Sequence, residues 1–438
     1  MKKYFVVALI LAFVLGLHAQ DTVKTYWSNK KLLSAGVKVN DREEGHWIFY
    51  HKNGLKWTEG NYRHGQRVGQ WKTWYDDGRL SQEGFMDNGP FKSWYKSGMV
   101  ESEGSFKNGK RNGAWTFYHP NGSVYKKCTY LNDSIDGAVT EFHENGMHSF
   151  EGTYTNGKLN GMAHWWDKKG TLEMEGKSIN DLQDGIWVFY HPNGKVGSRG
   201  NFVNGQQDGQ WTYYYETGEK WKQGNYYKGM RTGEWVAWYE SGKIQRRGNF
   251  CKGKECGLWT QWYENGQVKD EGYFDNGEMT KLWKGWYESG EHKYEANYAH
   301  NQKDGSYKYW NENGTKKIVG NYSAGLKNGK WFDYSDNGKP VENGTYNKDE
   351  KNGKWCFYNE RGVKIREQNF ANGVAEGPFA EFYPNGKKQM VGCYSNRYRT
   401  GTWSYWDATG KLIYSVEFVN GKKTKVYKDT DENASKPF

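Results

Sequence analysis

The chain has 438 residues, of which 35% are hydrophobic and 18% aromatic, with 23 Trp, 34 Tyr, 20 Phe, 57 Gly and only 7 Pro. A mean hydropathy of −1.06 belongs to chains too polar to fold. So many rings argue against disorder, however, and so few aliphatic residues argue against a large enzyme core. The net charge of +11 becomes +9 if Lys2 and Lys3 are removed, and the cations alternate with acids except at Lys422-Lys423-Thr424-Lys425. Such a surface serves solubility or contact with an anionic membrane, not nucleic acid.

Lys2 and Lys3 precede an apolar run from Tyr4 to Leu17, which ends at His18-Ala19-Gln20. The run is shorter than the ~20 residues of a spanning helix and has the layout of a signal peptide cleaved after Ala19. The expected product is soluble and exported, periplasmic or extracellular. The domain reading is residues 1–19 as signal peptide, 20–44 as an N-terminal capping half repeat, 45–428 as repeats with a C-terminal cap, and 429–438 as a polar tail.

The repeat is anchored at Trp47, Trp71, Phe91, Trp115, Val139, Ala163, Trp187, Trp211, Trp235, Trp259, Trp283, Tyr307, Trp331, Trp355, Phe379 and Trp403. These sixteen copies step by 24 residues, except for 20 between Trp71 and Phe91, where Gly65 to Gly69 of one copy shrinks to the lone Gly89 of the next. Each copy reads G-x-W-x-x-[YW]-Y-x-N-G-x-x-x-x-E-G-x-[YF]-x-N-G-x-x-x. The third residue after each anchor is aromatic and the seventh is Gly in all sixteen. The second residue before the anchor is Gly except at Lys281, and the fifteenth after it is Tyr or Phe except at Met86 and Ser178.

Steps such as Asn53-Gly54 and Asn265-Gly266 lie between ring-bearing runs, a hairpin signal because both residues tolerate positive φ. A second turn, Asn108-Gly109 to Gly113, leads to the next anchor. Each copy is therefore a β-hairpin. The expected fold is all-β, with tandem 24-residue hairpins in one elongated, twisted antiparallel ribbon of about 32 strands. Equivalent rings of neighbouring copies should stack on one another. Gly36 shares the register of Gly60, and Tyr427 that of the anchors.

No catalytic constellation is present, and neither a cofactor nor a metal is expected. His51, His119, His143 and His191 stand four residues after an anchor, where Tyr is usual, and lack the carboxylates of a metal site. Glu59, Glu83, Glu103, Glu151, Glu175, Glu271, Glu295 and Glu367 share one column. Lys127, Arg199 and Arg247 share it too, which suggests ion pairs on a solvated face. Cys251 and Cys256 either close a small loop or remain thiols. The candidate binding residues are Tyr215, Tyr239, Tyr263 and Tyr287, with Trp238, Trp262 and Trp286 beside them. Strand alternation should send one of these rows away from the core side, where rings can meet a partner's apolar side chains or sugars.

Segments such as Gly185-Ile-Trp187-Val-Phe-Tyr190-His-Pro-Asn193-Gly194, followed by Gly200-Asn-Phe202-Val-Asn204-Gly205, resemble the MORN repeat in its bacterial variant. This is the variant of YwqK-type antitoxins of toxin–antitoxin systems. The resemblance covers residues 21 to 428. It implies a non-catalytic repeat surface that binds proteins or acidic phospholipids. A looser similarity to the aromatic cell-wall-binding repeats of secreted bacterial proteins implies a β-solenoid with a choline or glucan ligand. The combined expectation is an exported scaffold or adaptor for a protein partner. The alternatives are a glycan, cell-wall or acidic-phospholipid binder, or an antitoxin-like neutraliser.

Overall fold

The computed structural model describes residues 22–429, so the expected signal peptide and nearly all of the expected polar tail lie outside the described residues. These residues form β-strands joined by tight turns and contain no helix. They divide into two units, residues 22–196 with 202–206, and residues 197–201 with 207–429. Within each unit successive strands pair antiparallel, with Lys110–Arg111 and Gly113–Tyr118 acting as one interrupted strand against Val100–Lys107, and Leu326–Lys327 and Gly329–Tyr334 as another against Lys316–Ser323, giving an open meander rather than the coils of a solenoid.

One copy shows how the sequence makes the fold. Strand Arg42–Tyr50 pairs with Lys56–Arg63, which pairs with Gln66–Trp74. The first connection is closed by bonds from Gly54 N to His51 O (2.9 Å) and from His51 N to Leu55 O (2.8 Å). Only Gly54, at φ +97°, is left-handed, as in a type I turn completed by a Gly bulge. The expected positive φ at Asn53 is absent. Its side chain instead accepts from Leu55 N at 3.0 Å and donates to Asp76 O of the next copy at 2.6 Å. The second connection is the two-residue turn of His64 (φ +53°) and Gly65 (φ +79°). Asn108-Gly109 turns the same way, at +52° and +75°. Gly113 lies past that turn, in a bulge.

That bulge positions the core. Glu59 pairs with Lys72 and Asn61 with Val68, so Gly60 alone faces Gly69, Gln70 and Trp71. The extra residues require the positive φ of Gly69, +66°. They also let the Trp71 ring lie flat over Gly60, where a Cβ would come within 2.3 Å of the indole. The carbonyl freed from the ladder takes the indole N–H, with Trp71 Nε1 donating to Asn61 O at 3.2 Å and Trp235 Nε1 to Asn225 O at 3.2 Å. Trp71, Trp355 and Trp403 are fully buried.

Neighbouring Trp anchors do not stack as the sequence suggested. Phe250 stands between Trp235 and Trp259, edge-on to both, at 5.9 Å and 5.3 Å between centroids, and Phe274 does the same between Trp259 and Trp283. Edge-to-face contact suits the ring quadrupole better than a sandwich. Anchors touch directly where one of them is not Trp, as at Phe91–Trp115 (5.8 Å) and Phe379–Trp403 (5.3 Å).

The 20-residue step removes paired strand rather than loop alone. Leu80–Phe85 and Gly89–Trp94 have 6 residues each, against 8 and 9 in the preceding pair. At the start of the array Gly36 seats Trp47 as Gly60 seats Trp71. At the other end the last anchor register is not filled as expected. Val416 stands where a Gly would form the seat, so the Tyr427 ring is 52% exposed and its hydroxyl donates to Glu417 instead.

Candidate binding surface

Alternation along the strand gives the sheet two chemically different faces. The anchor, the ring fifteen residues on and the residue two after the anchor share one face, as the Trp47–Phe49 stack at 5.7 Å shows. Trp238, Trp262, Trp286 and Trp310, third after their anchors, lie half-buried on the opposite face. Tyr215, Tyr239, Tyr263 and Tyr287 stay with the anchor side, at the mouth of the first turn.

The tyrosine row carries internal bonds. Tyr215, Tyr239, Tyr263 and Tyr287 donate their hydroxyls to the backbone oxygens of Trp238, Trp262, Trp286 and Trp310, at 2.8, 2.8, 3.0 and 2.7 Å. Each bond joins one copy to the next. Burial raises the Tyr215 and Tyr263 pKa values, and at Tyr287 a bond to the Tyr309 hydroxyl adds to it. The histidines of this column take over the same bond. His51, His119 and His143 place Nε2 2.9, 2.9 and 2.8 Å from the oxygens of Trp74, Phe142 and Trp166.

The tryptophan row has its ring faces partly covered by the intervening strand. His292 lies between Trp286 and Trp310, at centroid distances of 5.6 and 5.7 Å and tilts of 33° and 40°. Lys220 Nζ stands 5.9 Å over Trp238. At these three rings the face offers a partner ring edges set among charges rather than fully open ring faces. The glutamate column lies on the same face and is ion-paired, with Lys72–Glu83 at 3.2 Å, Lys92–Glu103 at 3.1 Å and Lys308–Glu295 at 3.0 Å. Glu103 also accepts from the Tyr118 hydroxyl, which pushes that phenol up to about 12.

Cys251 and Cys256 form a disulfide across the turn at Lys252-Gly253, with Cα atoms 5.8 Å apart. Among the described residues no group of three or more His, Cys, Asp or Glu side chains is placed to hold a metal ion. No helix among them is long and apolar enough to cross a membrane.

The sequence reading passed over three cations on the anchor face, Lys222, Arg231 and Arg246. The signal lay in comparing columns. Lys126 and Glu141, eleventh and second after their anchors, are cross-strand partners joined at 3.0 Å. Lys222 has Ala237 in the place of that glutamate.

The sequence profile described as the MORN repeat variant matches eleven segments, at residues 67–88, 87–108, 111–132, 135–156, 183–204, 231–252, 255–276, 279–300, 327–348, 375–396 and 399–420. No curated protein matches the chain significantly. Among solved structures, a crystallised TcdB2–TccC3–Cdc42 chain aligns with 94% of this chain and 27% of its own length, at 10% identity and a TM-score of 0.14. A chain of the Photorhabdus luminescens Tc holotoxin pore aligns with 94% of this chain and 26% of its own, at 10% identity and a TM-score of 0.15. The chain thus spans about a quarter of the length of those chains, and superpositions this loose carry no inference.

Proposed function

Because the chain belongs to the MORN repeat family, whose profile recurs over more than half of it, we propose that it is an exported, non-catalytic scaffold that holds a protein partner. The observation that carries this reading is that, within each unit, strands touch chiefly their sheet neighbours, and among the described residues no second layer covers either face. A repeated sheet face left at the surface suits an extended partner better than a small substrate, which needs an enclosing cleft. Export is supported by the Cys251–Cys256 disulfide, since such bonds persist in oxidising compartments. The covered ring faces on the tryptophan side favour a protein over a stacked glycan.

The test uses residues 20–438 immobilised and challenged with envelope extract of the producing cell, before and after protease treatment. Retained material is identified by mass and eluted with rising salt. A specific protein that disappears after protease treatment supports the reading. Glycan or lipid retained after protease treatment would overturn it.

A further inference from the structure

We propose that Lys222, Arg231 and Arg246, around the small floor of Ala237, form a docking site for an acidic segment of a protein partner. The site deepens the scaffold reading and rests on it. Ala237 pairs across the sheet with Lys222 on one side and Arg246 on the other. The two Cα positions thus lie two strands apart, ~9.6 Å, and because Lys222 leans over Tyr213 and Arg246 over Trp259 their charges stand farther apart, a span that extended acidic residues four apart, ~13 Å, can cover on one face. Tyr226 pairs with Arg231, which brings the third cation to the same face. Arg231 lies 5.0 Å over Trp235 and 5.1 Å over Phe250, and Arg246 4.1 Å over Trp259. Lys222 Nζ stands 4.5 Å over Tyr213 and 4.0 Å over Trp221, itself 41% exposed.

The group is short of anions. Arg246 reaches Glu255 at 2.8 Å, while its Nε is buried without a partner. Among the described residues no carboxylate lies within ion-pairing distance of Lys222 or Arg231. Burial and repulsion by Arg231 accordingly lower the Lys222 pKa, whereas burial at Lys126 is outweighed by its partner Glu141 and the pKa there is raised. Where the chain supplies the acid it builds an ion pair; here it leaves the position to Ala237.

A hydroxyl hydrogen is available as well. Gln207 Nε2 donates to the Tyr213 hydroxyl at 3.4 Å, and the Tyr213 and Tyr226 hydroxyls lie 3.1 Å apart. Two hydroxyls sharing one bond leave one hydrogen to donate to a ligand oxygen. Charge-assisted bonds of this kind, on rings that exclude water from one side, recognise a carboxylate strongly.

The test titrates a fluorescein-labelled peptide of alternating Glu and Gly into the full chain at low salt, read by polarisation. Binding should weaken at least tenfold in the Lys222→Gln/Arg231→Gln pair. It should weaken as much in Ala237→Glu, which keeps both cations and supplies the missing acid internally. Lys284→Gln/Lys308→Gln removes equal charge from the other face and should stay within twofold of the unaltered chain. Absence of peptide binding, or equal weakening by both Gln pairs, overturns the site. So does displacement of the peptide by equimolar inorganic phosphate, or preferential binding of phosphatidylserine vesicles. If the partner captured from envelope extract is retained undiminished by Lys222→Gln/Arg231→Gln, the scaffold reading stands and this site falls.

Discussion

Gly224→Ala is the sharpest test of how the ribbon coheres. A Cβ at this position would stand 2.2 Å from Trp235 Cδ2, 2.3 Å from Cε2 and 2.4 Å from Cγ. Carbon atoms in contact prefer ~3.5–4.0 Å, so the indole must retreat by more than an ångström or tip off its seat. The ring is only 5% exposed. Losing the whole burial of a Trp, 150–250 Å² at ~25 cal/mol per Å², would cost about 4–6 kcal/mol as a ceiling. Partial relaxation brings the expectation to about 3–5 kcal/mol. An ordinary strand Gly→Ala change would instead be neutral or stabilising by up to about 1 kcal/mol. The chain contains its own remedy, since Ala296 pairs with Tyr307 in the equivalent place. Gly224→Ala with Trp235→Tyr should therefore recover at least about 2 kcal/mol of the single-variant loss in a double-mutant cycle. Repeat arrays need not unfold in one step, so the assay is native-state hydrogen exchange of strands Lys220–Tyr227 and Met230–Trp238. A cost under about 1 kcal/mol for Gly224→Ala, or strict additivity in the cycle, would refute the seat argument.

Other expectations follow from single positions. Lys281 holds φ +59° where fifteen copies have Gly. Lys281→Gly relieves about 1–2 kcal/mol of left-handed strain against about 0.5–1 kcal/mol of added chain entropy, so local exchange of Glu278–Trp286 should slow by a net gain of about 0.5–1 kcal/mol. Tyr239→Phe removes the bond to Trp262 O and should cost about 1 kcal/mol in chemical denaturation while leaving partner capture unchanged. Asp333 accepts from Trp331 Nε1 at 3.1 Å, yet burial raises its pKa. The folded chain thus binds that proton more tightly than the unfolded one. This contribution is present below the unfolded value of ~3.9 and is lost as pH rises through the folded one. Asp333→Asn keeps the acceptor oxygen, so it should raise the thermal midpoint at pH 7, with the gain closing near pH 3.5.

The hairpins were legible because their turns favour Asn and Gly, even though His64, Lys228 and Ala324 hold the same positive φ in some copies. A two-residue turn with both φ angles positive restricts Asn108 and Gly109, and a 24-residue period makes the restriction visible sixteen times. The role of Gly60 was less accessible. Periodicity gives its address, but the reason is the ring of Trp71, which lies eleven residues on in the next copy. The pairing was nonetheless written in the chain, because every Trp anchor has Gly eleven residues before it, whereas Val139, Tyr307 and Phe379 follow Cys128, Ala296 and Gln368. Ring order was not legible, since intercalation of Phe250 between Trp235 and Trp259 depends on sheet geometry rather than spacing. Alternation said that one of the two ring rows leaves the core side, but which row it is, and the placing of His292 and Lys220 against the Trp row, required the cross-strand register. Lys222 stood in a column of mixed chemistry that no periodic reading selects.

The dependence of each indole on a glycine in the copy before it gives the array a direction. A tandem unit lost or duplicated by unequal crossing-over between copies that carry both a Trp anchor and the Gly thirteen residues after it brings a matched glycine with it, so the number of such copies can drift without rebuilding the core. The same exchange is not free at the margins. Gly36 already serves Trp47, whereas Val416 offers no floor to a ring after it. A copy grafted beyond residue 429 with a Trp at position 427 would seat only after Val416→Gly. Addition of a Trp-anchored module is thus opposed by one side chain, and such a module without that change should leave its indole unseated.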